Sequence, residues 1–301
     1  MTLISTSDDA FAPIAAGVTI SPGYQVVAHL RRGRRLDVYD AWSETRHCRC
    51  ILKLPRPDRA DDVKAAAQLE REGELLMSLT HPHLVRGYAV TTTVDLPRPV
   101  VVLETLAGHT IGHMMGRRRG LRPADVAMLG SHLCSVLRYL HASGWLHLDV
   151  KPANVIASGG RAVLIDLSLV TPIGSDGGGG TFDYLSPEQA RGDMLTVQAD
   201  VWGVGATLYA AMTGRTPYAD VSYDSDSDTG DDTGDGAVEH RYPQLERPPA
   251  PLSRRHHRQL RTLVSACLDL EPARRPSLAE LAAGLEKVAG VDPRRAGEVE
   301  L

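Results

Sequence analysis

Residues 147–154 read His147-Leu-Asp-Val-Lys-Pro-Ala-Asn154, and a short apolar run that ends in a carboxylate, Val163-Leu-Ile-Asp166, follows soon after. The first stretch brings a carboxylate, an amine and an amide into one loop, and the second resembles a buried strand. The chain contains 4 lysines against 29 arginines, and Asn154 is its only asparagine. Where any cation would suffice, such a chain can be expected to use arginine. Its rare lysines and its asparagine are therefore candidates for chemistry that Arg or Asp cannot supply.

The two stretches match the pattern H-x-D-x-K-x-x-N followed by a strand-ending Asp, and through them the chain resembles the eukaryotic-like, bacterial-type serine/threonine protein kinases. Phosphoryl transfer needs a carboxylate near the acceptor hydroxyl, a cation beside the γ-phosphate and oxygen ligands for a metal ion. The resemblance implies that Asp149 is the base and Lys151 the phosphate contact. It also implies that Asn154 and Asp166 hold Mg²⁺, with Mn²⁺ as an alternative. In isolation, Asp149 and Lys151 would be an ordinary exposed pair.

The resemblance extends upstream to an ATP site. Lys53 matches the strand lysine that holds the α- and β-phosphates, and Glu72 matches the helix glutamate that pairs with it. Glu74 is an off-register competitor for that role. Leu103-Glu-Thr-Leu106 resembles the segment whose backbone binds adenine. The other positions expected to bind ATP are Gly33, Val38, Ile51, Leu103, Glu104, Leu106 and Ile156.

Downstream, Gly180-Thr-Phe-Asp-Tyr-Leu-Ser-Pro-Glu-Gln-Ala190 resembles the substrate-binding segment of bacterial kinases. Lys151 and Thr181 together favour Ser or Thr over Tyr as the acceptor, by the same resemblance. Three positions are expected to be architectural. Asp200 would hold the backbone of the catalytic loop, and Arg275 would form a buried ion pair with Glu188.

The pattern of apolar residues predicts an α+β protein with a small β-rich part followed by a larger helical part, and the resemblance implies that these are the two lobes of the protein kinase fold. Strand-like patterns predict strands at residues 24–30, 36–41, 48–54 and 97–103, and apolar residues at three- or seven-residue steps predict one helix over residues 61–79. We expect an extension at residues 1–22, a small antiparallel β-rich lobe at 23–104 and a larger, mainly helical lobe at 105–290. An acidic insert at residues 220–240, too polar to order by itself, would interrupt the second lobe. Residues 291–301 would form a tail.

The composition of the chain argues against several other classes of function. The chain of 301 residues is 43% hydrophobic and carries a net charge of −4, which gives no whole-chain attraction to nucleic acid or to an anionic membrane. No apolar run is long enough for a membrane span. Four scattered cysteines fit a reducing cytoplasm. The expected partners are a protein substrate and a separate regulatory protein, with no nucleic acid.

The nucleotide loop departs from the family pattern. A glycine-rich loop would read L-G-x-G-x-x-G-x-V, but the chain has Leu30-Arg-Arg-Gly-Arg-Arg-Leu-Asp-Val38, which keeps only the middle glycine. Glycines there let backbone N–H groups approach the phosphates. The four arginines either replace that cradle with side-chain charge or form a solvated turn. Ile51 replaces a small alanine beside the adenine.

Two further departures concern the activation segment. Ser168 replaces the glycine of D-F-G, and Leu148 replaces the arginine that usually pairs with a phosphate on this segment. A phosphate on Thr171, Ser175 or Thr181 would therefore lack its main cationic partner. We predict that activation does not depend on phosphorylation of this segment.

These departures leave an alternative function. The five transfer residues are all present, namely Lys53, Glu72, Asp149, Asn154 and Asp166. An active kinase is therefore the leading interpretation. The altered loop, Ile51 and Ser168 favour instead a pseudokinase or weak nucleotide-binding scaffold. A phosphotransferase for small molecules is a third interpretation, against which residues 180–190 argue.

Overall fold

The computed structural model describes residues 12–94, 97–117, 120–177, 179–219 and 242–290. The chain divides into two compact units, and the division falls between Ala107 and Gly108. The acidic insert at 220–240 and the tail at 291–301 lie outside the described residues, as do residues 1–11 of the N-terminal extension. The expectations for these segments stay predictions.

The first unit is built on a six-stranded antiparallel sheet with the order β1-β2-β3-β4-β6-β5. Its strands are β1 (Thr19–Ser21), β2 (Tyr24–Arg32), β3 (Leu36–Ser43), β4 (Cys48–Pro55), β5 (Gly87–Thr92) and β6 (Pro99–Glu104). One helix, α1 (Val63–Ser78), packs against β4, β5 and β6. Its first turn is capped by Asp62, whose carboxylate accepts a hydrogen bond from the Ala65 backbone at 2.9 Å.

The alternation of side chains gives this sheet two different faces. One face forms the apolar core of the unit, around Tyr39, Leu52 and Val102, which are all fully buried. Residues of odd and even position point to opposite faces within a strand. The second face therefore carries Val38 on β3 and both Ile51 and Lys53 on β4. The sequence pattern that makes the core thus also aims the candidate ATP-binding residues in a common direction.

The second unit is mainly helical. The helices in its described residues are α2 (Ile111–Arg117), α3 (Pro123–Ala142), α4 (Pro187–Arg191), α5 (Val197–Thr213), α6 (Pro243–Glu246), α7 (Arg258–Cys267) and α8 (Leu278–Ala289). Helix α5 is apolar on every side and buried along most of its length, and α3 and α7 both pack on it. Gly214 ends α5 in the left-handed conformation (φ 73°), which glycine adopts without steric cost.

Short strands complete the second unit and hold its loops. These are β7 (His109–Thr110), β8 (Trp145–Leu146), β9 (Val155–Ser158), β10 (Arg161–Leu164) and β11 (Thr171–Pro172). Strand β9 lies between β7 and β10, and β8 pairs with β11. Residues 147–154 therefore form the loop from the end of β8 to the start of β9, and each of these strands is held by pairing with other strands.

The predicted α+β class is confirmed, with an antiparallel β-rich unit followed by a mainly helical one. The helix expected at residues 61–79 is α1, which is slightly shorter. The sequence analysis missed β1 and β5 because one is only three residues long and the other alternates weakly. Within the described residues, no helix combines the length and the hydropathy that crossing a bilayer requires.

Candidate active site

The first unit contains a buried pair of opposite charges. Lys53 lies on β4, and its ammonium is 2.8 Å from both carboxylate oxygens of Glu72 on α1. The side chains are 10% and 1% exposed. Glu72 belongs to the buried stripe of α1, which also contains Leu69 and Leu76, whereas Glu74 is exposed. Charges at this depth are stable only when they are paired, so each side chain holds the other in place.

The register of the sheet brings the other expected ATP-binding residues of the first unit to the same face as Lys53. Val38 lies directly opposite Lys53, and Ile51 lies directly opposite Leu103. Directly opposed residues of an antiparallel pair project their side chains to one face. Val38, Ile51 and Lys53 are half-buried or buried, and Leu103 is only 4% exposed. This face thus has an apolar floor beside a lysine, as an adenine nucleotide would need.

Four further positions were expected to bind ATP, three in the first unit and one in the second. The Glu104 carboxylate accepts a hydrogen bond from the Arg86 backbone at 2.8 Å, so one of its oxygens already has a partner in the first unit. Leu106 follows β6 and is partly exposed. The Gly33 N–H donates to the Leu36 carbonyl at 2.8 Å, and a Cβ at Gly33 would lie 3.0 Å from that oxygen. In the second unit, Ile156 is a half-buried residue of β9.

The loop between β8 and β9 gathers its polar groups around the Asp149 carboxylate. Oδ2 accepts hydrogen bonds from Lys151 Nζ at 2.6 Å and from Asn154 Nδ2 at 2.8 Å. Oδ1 accepts from the Thr181 hydroxyl at 2.7 Å, and Lys151 donates to that same hydroxyl. The Asp149 side chain is only 8% exposed. The structure thus joins a carboxylate, an ammonium and an alcohol in one hydrogen-bonded group.

The second unit also offers two oxygen ligands that suit a divalent cation. Leu164 pairs with Val155, and Ile165 N donates to Asn154 O at 3.0 Å, so Asn154 and Asp166 lie at the same end of the β9–β10 hairpin. Both donor bonds of the Asn154 amide go to Asp149, which leaves its Oδ1 available as a ligand. Carboxylate and amide oxygens are the ligands that hard cations prefer. The donor set therefore fits Mg²⁺.

Asp200 on α5 holds the start of this loop. Its carboxylate accepts backbone hydrogen bonds from His147 at 2.9 Å and Leu148 at 2.8 Å, and a ring hydrogen bond from His141 at 2.7 Å. Burial raises the pKa of Asp200, but the hydrogen bond from His141 and the charges of both histidines outweigh this effect, so that the pKa is lowered. Leu148 has φ 65°, which is rare for leucine. The two backbone bonds to Asp200 hold this conformation.

Residues 180–190, which resemble a substrate-binding segment, are anchored by a second buried ion pair. Arg275 binds both carboxylate oxygens of Glu188, and it also donates to the carbonyls of Gln198 and Asp269. Its guanidinium lies 5.0 Å from the centre of the Trp202 ring. The Arg275 side chain is 0% exposed and that of Glu188 is 5% exposed. This network fixes the end of residues 180–190 to α5.

Sequence reasoning missed three residues that support these groups. His141 binds Asp200, and Gln189 donates to the Leu148 carbonyl at 3.0 Å. Asp40 is 1% exposed on the Lys53 face of the sheet and forms an ion pair with Arg49. No spacing rule marks His141, because it lies 59 positions from Asp200. Asp40 could have been noticed as an acidic residue between the apolar residues Tyr39 and Ala41 of β3.

The lysine–glutamate pair on a sheet face and the loop of Asp149, Lys151 and Asn154 are typical of the protein kinase fold. The family model of the protein kinase domain matches residues 24–284. The chain therefore belongs to the protein kinase family. Members of this family use ATP and a divalent metal ion.

Curated relatives agree with this assignment. Serine/threonine-protein kinase PknB of Mycobacterium tuberculosis is 30% identical over 295 residues, which cover 93% of this chain and 45% of that protein. A probable serine/threonine-protein kinase PknB of Bifidobacterium longum is 30% identical over 76% of this chain and 34% of its own length. A probable serine/threonine-protein kinase of Streptomyces coelicolor is 30% identical over 65% and 31%, respectively. The chain thus spans less than half the length of these relatives.

Proposed function

We propose that the chain transfers the γ-phosphoryl group of ATP to Ser or Thr hydroxyls of protein substrates, with Asp149 as the base. One observation carries the proposal. The Asp149 carboxylate accepts a hydrogen bond from an alcohol, the Thr181 hydroxyl, at 2.7 Å. A carboxylate that holds an alcohol in this way is suited to receive the proton of an acceptor hydroxyl. Lys151, which contacts both groups, supplies a positive charge beside them.

The other residues would bind and orient ATP. Lys53, held by Glu72, would contact the α- and β-phosphates, and Val38, Ile51 and Leu103 would form the apolar surface against adenine. Asn154 and Asp166 would hold Mg²⁺, which neutralises phosphate charge when bound. Mn²⁺ offers the same preference for oxygen ligands and is the alternative metal. Asp200, Glu188 and Arg275 would act by positioning the loops, without contact to substrate.

The proposed substrates are proteins. Support comes from residues 180–190, which resemble a segment that binds polypeptides and which the Glu188–Arg275 pair anchors in the second unit. A separate regulatory protein would supply the upstream signal. We also propose a cytoplasmic location, because the four cysteines are free thiols. Such thiols suit a reducing compartment.

Transfer of radiolabelled phosphate tests the proposal. The purified chain is incubated with γ-labelled ATP and Mg²⁺, Mn²⁺ or Ca²⁺, together with a general protein acceptor. We expect label on Ser and Thr, greatest with Mg²⁺, and a loss of at least about a hundredfold in Asp149→Asn. Thermal denaturation with and without ATP shows whether that variant still folds and binds nucleotide. Stabilisation by ATP without any transfer that depends on Asp149 would contradict the proposal and favour a nucleotide-binding scaffold.

A further inference from the structure

The hairpin that joins β2 and β3 carries four arginines, and the structure distinguishes among them. Arg32 donates to both carboxylate oxygens of the buried Asp37, at 3.0 and 2.9 Å. Arg35 lies 3.5 Å from the Asp62 carboxylate. Arg31 is exposed, and within the part of the chain that the structure describes its side chain has no hydrogen bond or ion pair. Its charge is therefore available to a ligand.

The tip of the hairpin is fixed by a residue from the end of β4. Arg56 donates to the carbonyls of Gly33 at 3.1 Å and Arg34 at 3.4 Å, while its other nitrogens bind Asp58. The N–H of Gly33 is used within the turn, where it donates to Leu36. The one glycine that remains from the family pattern therefore has no N–H to offer a phosphate. In the described part of the hairpin, a backbone cradle of the usual kind therefore lacks its central donor.

Sheet register places Arg31 on the face that carries Lys53. Arg31 lies directly opposite Val38, and Val38 lies directly opposite Lys53. Opposed residues share a face, so all three side chains project to the same side of the sheet. Two strand spacings of about 4.8 Å separate the Cα atoms of Arg31 and Lys53 by about 10 Å. Arg32, one residue further on, faces the other side with Asp37.

We propose that Arg31 binds the phosphate chain of ATP through its guanidinium, in place of the backbone amides of a glycine-rich loop. The proposal rests on the ATP-dependent function proposed above. A guanidinium forms bidentate, charge-assisted hydrogen bonds with phosphate oxygens, so one side chain can replace several N–H donors. Both long cationic side chains can reach one triphosphate across the intervening Val38. The fixed hairpin would hold Arg31 at that position before the nucleotide arrives.

Calorimetric titration of the purified chain with ATP, ADP and adenosine, each with Mg²⁺, tests the role of Arg31 without measuring transfer. Arg31→Gln removes the charge and keeps most of the length. We expect it to weaken ATP and ADP binding by about tenfold, the size of one hydrogen-bonded charge contact, and to leave adenosine binding within about twofold. Arg31→Lys should restore part of the loss.

Arg46→Gln is the matched control. Arg46 lies in the β3–β4 turn at the opposite end of the sheet, where its guanidinium covers the Tyr88 ring at 4.1 Å. The substitution changes net charge equally, so it should leave ATP affinity within about twofold. Equal ATP affinity in wild type and Arg31→Gln would overturn the Arg31 proposal alone, as would equal losses for ATP and adenosine. A wild-type chain that binds no ATP would overturn the proposed function as well.

Discussion

Arg275 and Glu188 are 87 positions apart in the chain, yet they form a buried bidentate ion pair with N–O distances of 2.5 and 2.9 Å. The pair joins the segment after β11 to the turn before α8. Because neither side chain can reach water, the loss of one partner leaves the other charge buried alone. The position of residues 180–190 therefore depends on a part of the second unit that is distant in the sequence.

We predict that Glu188→Gln lowers the free energy of unfolding by about 3–5 kcal/mol, because the Arg275 charge remains buried without a counter-charge. Urea denaturation measures this loss. Asp193→Asn is the control, since Asp193 forms an exposed ion pair with Arg191 at 3.4 Å. The control should cost at most about 0.5 kcal/mol. Similar values for the two variants would contradict the structural role of Glu188.

The Lys53–Glu72 pair allows stability to be separated from function. Lys53→Met should lower the free energy of unfolding by about 3 kcal/mol, because Glu72 is 1% exposed and would lose its buried counter-charge. Adding Glu72→Leu should recover most of this loss, since an apolar pair of similar volume suits the site. Neither variant should transfer phosphate. If the double variant recovered transfer together with stability, Lys53 would have no role in binding ATP.

The loss of folding stability in acid should depend on the ionisation of Asp200, which holds residues 147 and 148. Its pKa is lowered from the usual 3.8 in the folded chain, so the ionised carboxylate stabilises the fold above pH 3.8. This contribution is lost as the pH falls through the folded-state pKa. Urea denaturation between about pH 6 and about pH 3 should therefore show the stability gap between wild type and Asp200→Asn narrowing toward acid. A gap that stays constant would show that Asp200 does not stabilise the fold through its charge.

The activation segment should not need phosphorylation. Leu148 packs in an apolar cluster with Leu195 and Ala199, where the family usually has an arginine that binds phosphate. Backbone hydrogen bonds of 3.0 and 2.9 Å tie Gly174 and Ser175 to Leu195 without any phosphate. We predict that the double variant Thr171→Ala, Ser175→Ala keeps turnover within about threefold, although it loses the hydrogen bond between the two hydroxyls.

Two outcomes distinguish this view from conventional activation. Phosphatase treatment of the wild-type chain should leave turnover unchanged, since the segment is already anchored by backbone pairing. A large loss of turnover in the double variant, together with a loss on phosphatase treatment, would contradict the prediction. Circular dichroism melting of the double variant controls for a loss of fold.

The Thr181 hydroxyl should matter for transfer more than for nucleotide binding. It bridges Asp149 and Lys151 in the second unit, and it is a hydrogen-bond donor to the proposed base. Thr181→Val should reduce kcat by about tenfold or more, because a hydrogen bond to a charged group is lost. Thr181→Ser keeps the hydroxyl and should retain most of the activity. Equal effects of the two variants would show that the methyl group, and not the hydroxyl, is required.

Local patterns in the sequence predicted much of the architecture. The recurrence of apolar positions at three- or seven-residue steps predicted a helix over residues 61–79, and α1 spans Val63–Ser78. Alternation predicted β2, β3 and β4 near their observed limits. Strand β5 was missed because Gly87-Tyr-Ala-Val-Thr-Thr92 has weak alternation and becomes a strand through pairing with β6. The propensity of so short a segment is decided by its neighbours.

The arginines of the β2–β3 hairpin show what a sequence leaves open. Their shared charge and spacing allowed either a phosphate cradle or a solvated turn. Register decides between adjacent residues, because Arg31 and Arg32 project to opposite faces of the sheet. Arg32 meets Asp37, while Arg31 shares the face of Lys53. This distinction requires knowledge of which residues lie opposite each other.

The sequence by itself was enough to recognise the protein class, because residues 147–154 and the strand-ending Asp166 match the pattern of a known family. It also determined which residue types were present to act, including the single asparagine. Only the tertiary structure decided which distant groups meet, such as His141 with Asp200 and Arg275 with Glu188. The physical reason is that periodicity encodes which face of an element is apolar, whereas the partner of a buried charge is set by packing between elements far apart in the chain.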